Sequence, residues 1–212
     1  MKKARCVCIA LLLLAMTSLA ALAVEPLKLY PTGVGDGYAG RSWYGWNGSW
    51  AETSESSVRF WHNSDNRESG RGMIIINISL LAGRTLASGS ATFNFYSYGI
   101  NGTSLQWYGG DPGSEVVAGF SQAGGEEIAP LGSVGEGWLS YDVTSRVQSA
   151  INAGWSNVGF IFNAQNYCGG SVGSVEGDKA AYVQVTPEPS GLLALASGMS
   201  ALAGFALRRR RG

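Results

Sequence analysis

Apolar and polar residues alternate at a period of two along much of this chain, and few folds tolerate that pattern. From Ala91 to Tyr98, Ala91, Phe93 and Phe95 fall on one side of an extended backbone, while Thr92, Asn94, Tyr96 and Tyr98 fall on the other. Ile74, Ile76 and Ile78 share a face expected to point inward, and Val158, Phe160 and Phe162 repeat the arrangement, as do Ala181, Val183 and Val185. Turn signals punctuate these runs at Gly33-Val34-Gly35-Asp36-Gly37, Asn101-Gly102, Asp111-Pro112-Gly113 and Gly124-Gly125. Long helical patterns are absent. The expected fold is therefore all-β, a jelly-roll-like antiparallel β-sandwich with one short helix. That helix is expected after Asp142 or Thr144, either of which can cap it. Val147, Ala150 and Ile151 would share its buried face, and Gly154 would end it, covering one open end of the sandwich.

The two ends of the chain read differently. Lys2, Lys3 and Arg5 precede an apolar run from Val7 to Ala15, and Ala21-Leu22-Ala23 supplies the small residues of a signal-peptidase site. Residues 1–23 are therefore expected to be a cleavable signal helix, which discards Cys6 and Cys8. At the other end, Thr186-Pro187-Glu188-Pro189-Ser190 precedes an apolar run from Gly191 to Leu207, followed at once by Arg208, Arg209, Arg210 and Arg211. A helix of that length rises roughly 25 Å, enough to cross a hydrocarbon core of about 30 Å with some thinning. The arginines are expected to stay cytoplasmic, which puts everything before Pro187 outside the inner membrane. Three segments follow: residues 1–23 as signal, 24–185 as an exported β domain, and 186–212 as a C-terminal transmembrane sorting segment.

The order of that last segment (Pro187-Glu188-Pro189, a short span, a basic end) resembles the PEP-CTERM sorting signal, also known as the ice-binding protein C-terminal domain. The resemblance implies recognition by an exosortase, cleavage near Pro187-Glu188-Pro189, and final placement at the cell surface or in the extracellular matrix. It does not imply ice binding, because no regular threonine repeat is present. Gly191, Ser197, Gly198, Ser200 and Gly204 give the span small residues suited to close helix packing.

A formal net charge of zero hides an acidic cargo. Lys2, Lys3, Arg5 and Arg208–Arg211 hold seven of the fifteen basic residues, and all fifteen acidic residues lie between Glu25 and Glu188. The stretch from Glu25 to Glu188 thus carries eight basic and fifteen acidic residues, a formal −7, which disfavours binding to nucleic acid. Once the signal is removed, Cys168 is the only cysteine, so the domain has no internal disulfide and depends on its core. About 165 residues are ample for one such core. Cys168 is expected to be buried in a Tyr167-Cys168-Gly169-Gly170 turn or to link two molecules.

The middle of the chain carries a second likeness. Arg71-Gly72-Met73-Ile74-Ile75-Ile76-Asn77-Ile78-Ser79-Leu80, then Ser88-Gly89-Ser90-Ala91-Thr92-Phe93-Asn94-Phe95-Tyr96, then Gly137-Trp138-Leu139-Ser140-Tyr141-Asp142-Val143-Thr144-Ser145-Arg146-Val147-Gln148 looks like the DNRLRE-type jelly-roll module. The likeness implies a jelly roll of the kind found in extracellular, carbohydrate-associated proteins. Asn77 stands where an acidic residue is usual before the Ser-Leu strand end, so a polar site is not carried over.

No set of residues has the spacing of a catalytic site. Glu126 and Glu127 are the only adjacent carboxylates and would point to opposite faces of a strand, so they are expected in a solvated loop. His62 is the only histidine, and Trp61-His62-Asn63-Ser64-Asp65-Asn66 reads as a strand entering a turn. One histidine and one retained cysteine nearly exclude zinc. Asp36, Asp142, Glu176 and Asp178 lie in or beside turns where carbonyls are free, so a structural calcium ion is an option, although no EF-hand spacing exists and no cofactor is required. The segment with Trp43, Tyr44, Trp46 and Trp50 has few aliphatic neighbours; its rings either stack on sugars or close the core. The reading that combines these signals is a non-enzymatic, exosortase-sorted surface or matrix protein that binds exopolysaccharide. Its rivals are a glycan hydrolase or lyase, and a structural matrix component without a specific ligand.

Overall fold

The computed structural model describes residues 25–42, 48–53, 57–63, 68–117 and 125–186. Trp43, Tyr44 and Trp46, together with the signal segment, Pro187-Glu188-Pro189 and Arg208–Arg211, lie outside those residues. Among the described residues no helix is long and apolar enough to cross a membrane.

Residues Leu27–Val185 form one compact unit of ten strands: β1 (Leu27–Leu29), β2 (Pro31–Ser42), β3 (Gly48–Thr53), β4 (Ser57–Asn63), β5 (Glu68–Asn77), β6 (Ala91–Trp107), β7 (Glu126–Val134), β8 (Gly137–Asp142), β9 (Asn157–Gly173) and β10 (Tyr182–Val185). A 3-10 turn spans Ser79–Leu81, and the single α-helix among the described residues, α1, spans Thr144–Asn152. The chain is thus mostly β with one short helix.

Every strand pairing is antiparallel, in the order β1-β10-β6-β9-β4-β5-β2-β3, with β7 and β8 also on β6 and a further β9–β5 pairing. Two 17-residue strands organise the whole. The first half of β6 pairs with β8 and β10, and its second half with β7 and β9. Register shifts near Ser97/Gly99 and Asn101/Thr103 mark the changeover. Asn101-Gly102 therefore does not turn the chain, contrary to its sequence signal; Gly102 sits inside β6 at φ 50. A Cβ there would collide with the Cys168 Sγ, so glycine is required both by backbone conformation and by space.

Gly33–Gly37 likewise lies within β2, where the register with β5 slips between Pro31 and Asp36. The end of this stretch is drawn into the strand by pairing: Asp36 and Gly37 lie opposite Ile74 and Met73 of β5, and Gly37 also lies opposite Thr53 of β3. Tyr167–Gly170 also belongs to a strand, β9, and leaves Cys168 half-buried. In contrast, Asp111-Pro112-Gly113 is a loop: Asp111 Oδ1 accepts the Gly113 N–H at 3.0 Å, and its Oδ2 accepts the Ser156 N–H at 3.0 Å.

The alternation read from sequence places Ala91, Phe93, Phe95, Ile74, Ile76, Ile78, Val158, Phe160, Phe162, Ala181, Val183 and Val185 in one buried cluster. Phe93 stacks on Phe160 with centroids 3.7 Å apart, and Phe95 meets Phe162 edge-on at 5.0 Å. Burying a phenylalanine side chain contributes roughly 1.5–3 kcal/mol, so these rings dominate the core. Strand β5 is buried on both faces: Met73 and Ile75, with Ala39, Val116 and Ile161, form a second cluster under Tyr108. The polar segment after β6 supplies that cover, which a period-two reading of β5 does not reveal.

Helix α1 ends as its sequence signals suggest, but neither Asp142 nor Thr144 caps its start: Val143 occupies the N-cap position and no side chain bonds the first-turn amides from there. Asp142 Oδ1 accepts the Thr144 N–H at 2.9 Å and its hydroxyl at 2.7 Å, just ahead of the first turn. At the other end Gly154 has φ 72, its N–H reaches the Ile151 carbonyl, and the Trp155 N–H reaches that of Ala150. That pair of bonds is a Schellman closure. Val147, Ala150 and Ile151 pack on the main core. Asn77 sits just ahead of the 3-10 turn: its Oδ1 accepts the Ser79 N–H at 3.0 Å, while its Nδ2 donates to Asn157 Oδ1 at 3.2 Å.

Candidate functional site

The same alternation that fills the core loads the opposite face of β6, β8 and β10. Opposite Phe93 and Phe95, β6 presents Thr92, Asn94 and Tyr96. Strand β8 exposes Trp138, Ser140 and Asp142, and β10 adds Tyr182 and Gln184. Registers bring Trp138 opposite Tyr96, Ser140 and Tyr182 opposite Asn94, and Lys28 opposite Gln184.

Five rings on this face form a continuous ladder. Tyr30 lies 5.5 Å from Tyr182, Tyr182 lies 5.8 Å from Trp138, Trp138 lies 5.6 Å from Tyr96, and Tyr96 lies 5.2 Å from Tyr98. Trp138 is 51% exposed, Tyr30 45% and Tyr98 40%, values that leave ring surface open to a ligand. Large aromatics seldom stay this exposed in a group unless the patch contacts something else. The neighbours are amides and hydroxyls: Asn94 donates to the Thr92 carbonyl at 3.1 Å, with Ser140 and Gln184 nearby in register.

Lysines flank the ladder. Lys179 Nζ sits 3.7 Å from the Tyr96 ring centroid and 5.3 Å from that of Tyr98, while Lys28 Nζ lies 4.7 Å from the Tyr182 ring. Glu136 completes one end, accepting the Tyr96 hydroxyl at 2.7 Å and facing Lys179 at 3.5 Å. The Tyr96 hydrogen bond first, and then Lys179, holds the Glu136 carboxyl below its usual range. Contact with the Tyr96 hydroxyl in turn raises the Lys179 ammonium. The arrangement fixes one tyrosine rotamer within an otherwise open face.

Of the rings expected to bind sugar, Trp50 lies on β3 opposite Gly40, its side chain outside the described ones, and the other three lie outside the described residues altogether. The ladder was missed because its rings come from four separated segments, and only strand pairing brings them together. The exposed Tyr96 and Tyr98 of the β6 alternation, and Trp138 in Trp138-Leu139-Ser140-Tyr141, were the available signals.

The remaining candidates are scattered. Glu126 and Glu127 open β7 and are not in a loop; Glu126 Oε1 takes Arg146 Nη2 at 2.7 Å, and the Glu127 carbonyl takes the same nitrogen at 3.1 Å. Their lost loop character follows from pairing with Trp107 and Gln106. His62 lies on β4 opposite Ser69, half-exposed. Asp142 is committed to the start of α1, where the Thr144 hydroxyl and N–H keep its carboxyl low, and Asp178 is exposed.

Asp36 and Glu176, by contrast, come together from opposite ends of the domain. Asp36 is fully buried, and its Oδ2 accepts the Val175 N–H at 2.6 Å. Burial, opposed by that hydrogen bond and reinforced by Glu176, pushes the Asp36 carboxyl up to about 7. No group of three or more His, Cys, Asp or Glu side chains positioned for a metal occurs among the described residues.

No protein-family model matches the chain, and no curated protein matches its sequence. The functional reading therefore rests on the residues themselves.

Proposed function

We propose that this is an exported, non-enzymatic surface or matrix protein whose sheet face binds an extended polysaccharide chain. The observation that carries the binding part is the ladder Tyr30–Tyr182–Trp138–Tyr96–Tyr98. Its successive rings are 5.2–5.8 Å apart with planes inclined 49–78° to one another, so an extended chain laid along them would meet a row of alternating ring faces and edges. Sugar C–H faces stack on aromatic faces, and amides and hydroxyls such as Asn94, Ser140 and Gln184 can bond the equatorial hydroxyls. A rigid, pre-formed face keeps the ordering cost of binding small. In this reading the β unit is a jelly-roll-like sandwich, consistent with its two 17-residue strands, each pairing with several others, and its antiparallel order.

Delivery is proposed from sequence alone: signal-peptidase cleavage after Ala23, passage through the inner membrane, and exosortase processing at Pro187-Glu188-Pro189 with Arg208–Arg211 as the cytoplasmic stop. Mass spectrometry of the mature protein from wild-type and exosortase-deficient cells tests it. A C-terminus near Pro187 only in the wild type is expected, and identical C-termini carrying Arg208–Arg211 would refute it.

Calorimetric titration with oligosaccharides of increasing length tests the binding. Affinity should climb with each added sugar until the chain covers the five rings, and then level off. Length-independent binding, or turnover of the oligosaccharide abolished by one carboxylate substitution, would overturn the proposal.

A further inference from the structure

Asp36 is an acidic residue enclosed on the core side of β2. Its strand partner is Ile74, and no part of it reaches solvent. One oxygen is used, accepting the Val175 N–H at 2.6 Å, but Oδ1 has no hydrogen-bond partner. Ser174, the residue before that donor, is also fully enclosed, and its Oγ likewise has no partner. The Glu176 carboxyl, exposed on its outer side, lies against Asp36 closely enough to raise it. The Val175 N–H bond ties Asp36 to the point where the chain leaves β9, across roughly 140 residues, and Ser174 and Glu176 are the residues on either side of that donor. Buried polar atoms are almost always satisfied, so two orphans beside one hydrogen bond point to an occupant.

We propose that a hard divalent cation, calcium by its all-oxygen donor set, sits between the carboxylates of Asp36 and Glu176 with the Ser174 hydroxyl as a third donor. Oxygen donors without nitrogen or sulfur select calcium over zinc or copper. Asp36 supplies the buried charge, Glu176 supplies the second charge at the solvent edge, and water completes the shell from the exposed side. The ion neutralises a pair that would otherwise repel. It also pins the turn after β9 to β2, at the opposite end of the domain sequence. That turn carries Lys179, the residue lying over Tyr96 and Tyr98, so the ion steadies one flank of the ladder.

The test uses the full chain with calcium alone as probe, read by calorimetric binding and by melting temperature in calcium against chelator. A dissociation constant on the order of 10⁻⁴ M, as in extracellular calcium modules, is expected. At about a hundredfold excess over that value, calcium should raise the melting temperature by roughly 5 °C. Asp36→Asn should abolish both signals while leaving the calcium-free protein folded, because it removes the buried charge. Glu176→Gln, at the exposed rim and safe for folding, should weaken binding at least tenfold. Wild type with identical melting in calcium and chelator would overturn the proposal, as would unchanged calcium affinity in Glu176→Gln. Stability that depends on pH but not on calcium would instead assign the pair a shared proton, and would equally overturn it.

Discussion

Strand β6 carries aromatic rings on both of its faces, and the two sets meet different surroundings. Inside, Phe93 and Phe95 are fully buried among Phe160 and Phe162. Outside, Tyr96 and Tyr98 share an open face with Trp138, Tyr182 and Tyr30. The inner rings lack polar atoms and gain from close packing. Each outer ring carries a hydroxyl or an indole N–H, that of Tyr96 held by Glu136, so this face suits water or a polar ligand. One face is therefore expected to govern stability and the other recognition.

Substitutions on the two faces can break that division. Phe93→Ala should cost the most, about 3–5 kcal/mol of unfolding free energy, because it opens a cavity against Phe160 that the ladder of strands cannot close. Denaturant unfolding measures it, and a loss below about 1 kcal/mol would mean the stacked core is overvalued.

Asp36 is a polar exception on the inner face. Its folded value of about 7 lies above its ordinary 3.8, so the folded state binds more protons between those limits. Stability should then fall as pH rises from about 4 to about 7 and level off above, by a loss on the order of 3 kcal/mol in chelator. Unfolding of Asp36→Asn across the same pH range should lack this slope.

On the outer face, Trp138→Ala and Tyr182→Ala should each leave unfolding within about 1 kcal/mol of wild type yet reduce glycan affinity roughly tenfold. A large stability loss in either variant would place these rings with the core. Lys179→Met should have the smallest effect, a two- to fivefold change in glycan affinity through the lost contact with Tyr96 and Tyr98. Affinity gels run beside the wild type resolve that difference.

Much of the inner face was legible before any coordinates. A period of two marks Ala91, Phe93 and Phe95 without further information, and Gly154 ends α1 by local hydrogen bonding, whereas its start at Thr144 is also tied to Ala91 of β6. Local chemistry failed where tertiary pairing overruled it. Gly33–Gly37 and Asn101-Gly102 look like turns, but β5 on one side and β7 and β9 on the other hold them in strands. The ladder was legible only in fragments, since Tyr30, Tyr96, Trp138 and Tyr182 are far apart in sequence and meet through β1–β10–β6–β8 pairing. The Asp36–Glu176 pair has the same origin: Asp36 reads as a turn residue until β2 carries it into the core.

The division of labour between the two faces is tested most directly by retention on immobilised extracellular polysaccharide. Wild type would be compared with the Trp138→Ala/Tyr182→Ala double variant, with the fold of both checked by circular dichroism. The account predicts a folded double variant that elutes with the unbound fraction while wild type is retained. Equal retention of the two folded proteins would contradict it.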